Sequence, residues 1–188
     1  MAYPVRDFLP CRRLVLAGIA TVLAPAAWAE VPAGLAKGAM ARFKLAHPPK
    51  PMPDLEFLNA EDKPIKLADS TGKARLINLW ATWCAPCVKE MPSLDRLQAA
   101  LPNDKFLVLP ISLDGPSKPK VAPFYKERKL DNLGIYYDKG RKTMSVLEVT
   151  LLPTSILVDA AGRELGRLEG DADWDTAEGI ALMKAAIA

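Results

Sequence analysis

The chain has 188 residues, half of them hydrophobic and a quarter charged, with a net charge of +3. That is an ordinary globular composition, of a length suited to one domain with terminal extras. Setting aside residues 1–29, which hold three arginines and one aspartate, leaves +1, and so weak a charge gives no electrostatic basis for binding nucleic acid.

Met1 to Arg13 is a basic leader, followed by the apolar stretch Leu14 to Trp28 and the small residues Ala27 and Ala29 around Trp28. This is the pattern of a secretory signal, and predicts a signal peptide over residues 1–29 or, if uncleaved, an N-terminal membrane anchor. The apolar stretch is short for a bilayer span and contains Pro25, which favours cleavage. Arg12-Arg13 partly resembles a twin-arginine export signal, with Val15 where Phe is usual, and Cys11 lies ahead of the apolar stretch, unlike a lipidation site. Export ends in the periplasm, where disulfides persist.

Residues 30–53 end in the proline-rich run His47 to Pro53 and read as an extended linker, with a short helix over Gly34 to Leu45. The folded domain is then predicted over 54–188. Leu55 to Leu58 and Pro64 to Leu67 form an early hairpin, and Leu76 to Ala81 is a continuous apolar strand suited to the buried centre of a sheet. Helical spacing of Met91, Leu94, Leu97 and Leu101 predicts a helix from Pro86, kinked at Pro92. Phe106 to Ser112 is the next strand, Lys120 to Lys129 a helix, Ile135 to Tyr137 a short strand and Lys142 to Leu147 a short helix. Ser155 to Asp159 and Leu165 to Leu168 make a closing hairpin, and Asp173 caps a last helix from Trp174 to Ile187. Strands that first alternate with helices and then form a hairpin predict an α/β fold with a central mixed sheet flanked by helices.

The chemistry sits between the apolar strand and its helix, at Trp83-Cys84-Ala85-Pro86-Cys87. Two cysteines at this spacing face each other across the first helical turn, and in this strand-to-helix context the pair reads as redox-active. Cys84, at the helix N-terminus, has exposed amides and the helix dipole to favour its thiolate and is the attacking sulfur. Cys87 lies deeper and resolves the mixed disulfide. The loop they close is too small to serve as a structural staple. Pro86 suits an early helical position.

Glu90, one turn beyond Cys87, has two readings. It is either a partly buried carboxylate that takes the Cys87 proton or a solvated acid matching the helix dipole. Asn78 in the strand cannot take a proton, so another group must. Pro153 precedes a strand, where a proline is usually trans and marks an edge. A cis bond there would instead aim the Leu152 backbone at a substrate chain. Trp83 either covers the cysteines or meets substrate, whereas Trp80 and Met91 read as core and His47 as a surface residue.

Asn78 to Cys87, Glu90-Met91-Pro92 and Leu152-Pro153-Thr154 together resemble the TlpA/ResA group of bacterial thioredoxin-like proteins, over about Asp54 to Ala188. The resemblance implies a thioredoxin fold with an extra N-terminal β-hairpin, Pro153 in cis and Glu90 as the buried acid. It implies a protein-disulfide reductase with Cys84, Cys87 and Glu90 as catalytic residues and Trp83, Pro86, Leu152, Pro153 and Thr154 at the substrate. No metal or other cofactor is expected. The partners would be disulfide-bearing exported proteins and a membrane electron donor that re-reduces the dithiol. Members of the group commonly serve cytochrome c maturation or respiratory copper-site assembly. Leu152 occupies a slot that tunes redox poise and substrate choice in such proteins.

Two other functions fit parts of the sequence. A thioredoxin-fold copper chaperone would use C-x-x-x-C and a downstream histidine, and this chain has no histidine after His47. A thiol peroxidase would place a Thr or Ser beside a single cysteine, and Thr82 is the one residue that points that way.

Overall fold

The computed structural model describes residues 31–115, 118–138, 140 and 142–187. The predicted signal segment, with Cys11, lies outside the described residues. In chain order the elements are β1 (Lys44–Pro51), β2 (Glu56–Leu58), β3 (Pro64–Lys66), β4 (Ala74–Trp80), α1 (Ala85–Ala100), β5 (Phe106–Ser112), α2 (Lys118–Arg128), β6 (Tyr136–Tyr137), α3 (Lys142–Val146), β7 (Thr154–Val158), β8 (Arg163–Glu169) and α4 (Ala177–Ile187). The eight strands form one sheet in the order β1-β8-β7-β4-β5-β6-β2-β3.

β4 is buried along its whole length, because it runs parallel to β5 on one side and antiparallel to β7 on the other. Both of its faces must therefore be packed. Leu76 and Trp80 enter the cluster that contains Met91, Leu94 and Leu97 of α1 and Leu182 and Met183 of α4. Ile77 and Leu79 enter the opposite cluster with Leu109, Ile111, Ile156 and Leu147. Alternation along the strand puts Asn78 on the same face as Leu76 and Trp80, beneath α1. The mixed sheet with flanking helices is the expected thioredoxin-type α/β architecture. The early hairpin, β2 with β3, joins the sheet through the pairing of Leu58 with Tyr137 on β6.

The N-terminal reading needs correction. Within the expected linker, the described residues 31–53 are part of the fold: β1 pairs antiparallel with β8, and Val31, Met40 and Phe43 belong to the main core. The folded unit therefore begins upstream of Asp54. Pro48, Pro49 and Pro51 lack the N–H of a ladder residue, which is why the run resembles a linker. On an edge strand, with one side unpaired, a proline need break no ladder bond. The register also shifts between Leu45 and Lys50, so residues 46–49 lie outside the regular pairing. Gly166 lets β1 approach. A Cβ there would lie 2.6 Å from the Lys44 carbonyl oxygen and 3.0 Å from Leu45 Cα. In place of a helix over 34–45 there are two short 3-10 turns, Ala33–Leu35 and Gly38–Met40.

The last helix also starts later than expected, at Ala177. Thr176, not Asp173, caps it: its Oγ1 accepts the Gly179 N–H at 3.2 Å. Residues 171–176 form a separate segment that lies along α1. Pro92 sits inside α1, which continues as one helix to Ala100. Among the described residues, no helix is long and apolar enough to cross a membrane.

Candidate active site

The chain turns from β4 into α1 over residues 81–84, and that turn is pinned from β5. The Asp114 carboxylate accepts the Thr82 N–H at 2.8 Å and the Thr82 hydroxyl at 2.6 Å, and Ser112 Oγ donates to it at 2.8 Å. The turn delivers Cys84 as the N-cap of α1, with Pro86 in the first helical positions. Cys84 and Cys87 are joined as a disulfide, with Cα atoms 5.3 Å apart. Cys84 Sγ accepts the Cys87 N–H at 3.3 Å. In the reduced protein the same amide favours a thiolate on Cys84. Cys84 is 7% exposed and Cys87 not at all, so Cys84 is the outer sulfur, though it is largely sheltered.

Beneath the pair lies a polar network in an otherwise apolar core. Glu90 is buried and takes three hydrogen bonds. Asn78 Nδ2 donates to Oε1 at 2.7 Å, and the Ala172 N–H and Trp174 Nε1 each donate to Oε2 at 3.1 Å. Asn78 Nδ2 also donates to Ser155 Oγ at 2.9 Å. Burial pushes the Glu90 carboxyl up to about 7, and the bonds from Trp174, Asn78 and Ala172 hold it from rising further. The solvated reading of Glu90 is therefore excluded by its position. A carboxyl with this affinity is half-ionised near neutral pH and can both accept and release a proton.

On the outer side, a groove of about 430 Å³ opens beside Cys84, lined by Trp83, Pro86, Leu113, Met144, Thr150, Leu151 and Leu152. Trp83 and Leu151 are exposed although large and apolar. Such a surface fits the apolar side chains of a bound peptide better than it fits water.

The expected substrate residues divide. Trp83, Pro86 and Leu152 line the groove. The Leu152–Pro153 bond is cis, but Pro153 itself is buried and its carbonyl accepts the Gly170 N–H at 2.8 Å. Thr154 is a correction: it is buried in β7, and its hydroxyl donates to the Leu151 carbonyl at 2.7 Å. It shapes the loop that carries Leu151 and does not face the groove. Trp174 is the functional residue that sequence reasoning misses. It reads as the first turn of a helix, and nothing in its chain neighbours points to Glu90, 84 residues away.

His47 lines a different cavity, with Lys44, Lys50 and Arg167. Among the described residues, no group of three or more His, Cys, Asp or Glu side chains could hold a metal ion. Thr82 gives its hydroxyl to Asp114, and Cys84 is paired rather than single.

Comparison with known proteins agrees with this geometry. Residues 48–163 match the model of the AhpC/TSA family. The chain is similar to thiol-disulfide oxidoreductase ResA of Bacillus cereus, 32% identical over 130 residues, which cover 69% of this chain and 74% of that protein. Among solved structures it is similar to a Chlorobium tepidum protein taken to be thiol:disulfide interchange protein DsbE, with a TM-score of 0.66 and 25% identity over 74% of this chain and 97% of that one. It is also similar to a DsbF homologue from Corynebacterium diphtheriae, with a TM-score of 0.62 and 25% identity over 76% of this chain and 88% of the other.

Proposed function

The chain belongs to the TlpA/ResA-type thioredoxin-like thiol–disulfide oxidoreductases, and from that premise we propose that it is an exported reductase of protein disulfides. The observation that carries the mechanism is the stacking of Cys84, Cys87 and the buried Glu90 along one side of the start of α1. In the reduced protein the Cys84 thiolate attacks a substrate disulfide. One substrate sulfur leaves and takes a proton, and the other is bonded to Cys84. Cys87 then gives its proton to Glu90 and attacks Cys84 Sγ. The second substrate thiol leaves, and two electrons have passed from the dithiol to the substrate. The Cys84–Cys87 disulfide is the product state, which a donor at the membrane returns to the dithiol.

The groove beside Cys84 supports a protein substrate, held as an extended segment with apolar residues near its cysteine. Cytochrome c maturation and assembly of respiratory copper sites are the settings that the family suggests. The basic leader and apolar stretch of residues 1–29 support export to the periplasm, with a cleaved or tethered N-terminus.

The test is capture. Cys87→Ser should accumulate substrates on Cys84 as mixed disulfides that reductant releases, and replacement of both cysteines by serine should end insulin reduction. Insulin reduction that survives the double replacement would sink the proposal. Sequencing the N-terminus of the protein recovered from exported fractions checks cleavage after Ala29, and full retention in the cytoplasm would remove the export claim.

A further inference from the structure

Trp174 brings to the buried network a side chain from outside the cysteine motif, β4 and β7. It lies ahead of α4, in the segment that runs along α1, and is fully buried. Its indole N–H donates to Glu90 Oε2, and its backbone N–H donates to Ser93 Oγ at 3.1 Å. That hydroxyl donates in turn to the Glu90 carbonyl at 2.8 Å. Trp174 is thus fixed at two points to the turn of α1 that bears Glu90. An indole N–H can donate but never accept. It bonds the ionised carboxylate more strongly than the protonated acid, whose oxygens are weaker acceptors.

We propose that Trp174 is a positioning residue for turnover: its indole N–H holds Glu90 Oε2, favours the anion, and so sets the pH range in which Glu90 can take the Cys87 proton. This rests on the reading of Glu90 as the proton acceptor. Two other donors, Asn78 Nδ2 and the Ala172 N–H, act in the same direction, and the Trp174 indole adds to them. β4 and β7 present only the neutral Asn78 and Ser155. On α1, Cys87 titrates only when reduced. In the 171–176 segment, the Asp171 charge raises the Glu90 pKa, and Asp171 is itself paired with Lys89 at 2.9 Å.

The experiment uses the oxidised protein, in which neither bridged sulfur titrates. Glutamate labelled with 13C at Cδ reports the Glu90 carboxyl by NMR, its signal identified by its loss in Glu90→Gln. Trp174→Phe should raise the midpoint by about 1 to 2 pH units, the size of one hydrogen bond to a charged group. Phenylalanine fills less space, so the measurement is repeated with benzothienylalanine at position 174, which keeps the tryptophan shape without the N–H. The same upward shift in both forms supports the inference, and a midpoint that stays in place in the isosteric form overturns it. The second readout is the pH profile for release of substrate from Cys84. A profile that moves up with the midpoint supports the full inference. A midpoint that moves over an unmoved profile removes Glu90 as the acceptor, and with it the part of Trp174 in turnover.

Discussion

The two sides of the Cys84–Cys87 bridge are made of opposite materials. Outside, where water is available, the walls are apolar and Trp83 is 64% exposed. Inside, where water is excluded, Asn78, Glu90, Ser155 and Trp174 form a hydrogen-bonded polar cluster with no member more than 2% exposed. The inversion suits the two tasks proposed for the site. An apolar groove holds varied peptide segments by shape and desolvation, with few directional demands. A proton acceptor gains from the reverse, because burial is the largest cause that moves the Glu90 carboxyl from its ordinary range to about 7.

The largest test of this division is at the sulfurs themselves. Cys84→Ser should reduce insulin no faster than solution without protein, whereas Cys87→Ser should still give one stoichiometric attack before stopping. Equal behaviour of the two variants in single-turnover assays would erase the distinction between outer and inner sulfur. Next, Glu90→Gln should slow release of substrate from Cys84 by about 100-fold or more near neutral pH, the usual worth of a placed proton acceptor. The first attack should stay near its wild-type rate. Stopped-flow measurement of both steps decides, and equal slowing would make Glu90 a structural residue only.

The inner side also predicts a pH dependence of stability. The folded-state pKa of Glu90 is raised, so between about 4.5 and 7 the folded protein holds a proton that the unfolded chain has released. The contribution of this group is therefore greatest below pH 4.5 and declines as pH rises through 7, by up to about 3 kcal/mol. Denaturant titrations of oxidised wild type and Glu90→Gln should show this slope in the first and not in the second. The smallest effect belongs to the outer side. Trp83→Ala should raise KM for a protein substrate by about 5-fold, a loss of about 1 kcal/mol, and leave folding stability within about 0.5 kcal/mol of wild type. An unchanged KM would reduce Trp83 to a cover over the bridge.

The parts of this molecule that are legible in sequence are those whose partners are close in the chain or whose pattern is dense. β4 and β5 announce themselves as mainly apolar runs, and the cysteine pair is defined by its position after one and before a helix. Glu90 is ambiguous in sequence because residue type carries no information on burial: its surroundings come from β4, β7 and the 171–176 segment. β1 is hidden for a different reason. Prolines signal a linker wherever both sides of a strand must pair, and only the tertiary position of β1 at the sheet edge removes that requirement. Trp174 is lost to periodicity, since its spacing continues that of α4 although it stands outside the helix.

Both borders of the sheet share that chemistry. β1 carries Pro48, Pro49 and Pro51 with Lys44 and Lys50, and β3 at the far border is three residues long, begins with Pro64 and ends with Lys66. Neither border offers another molecule an uninterrupted row of amide hydrogens to extend, and the lysines repel a like copy. A chain that leaves Trp83 and Leu151 open to water thus has borders that disfavour polymerisation strand upon strand, far from the sulfur chemistry.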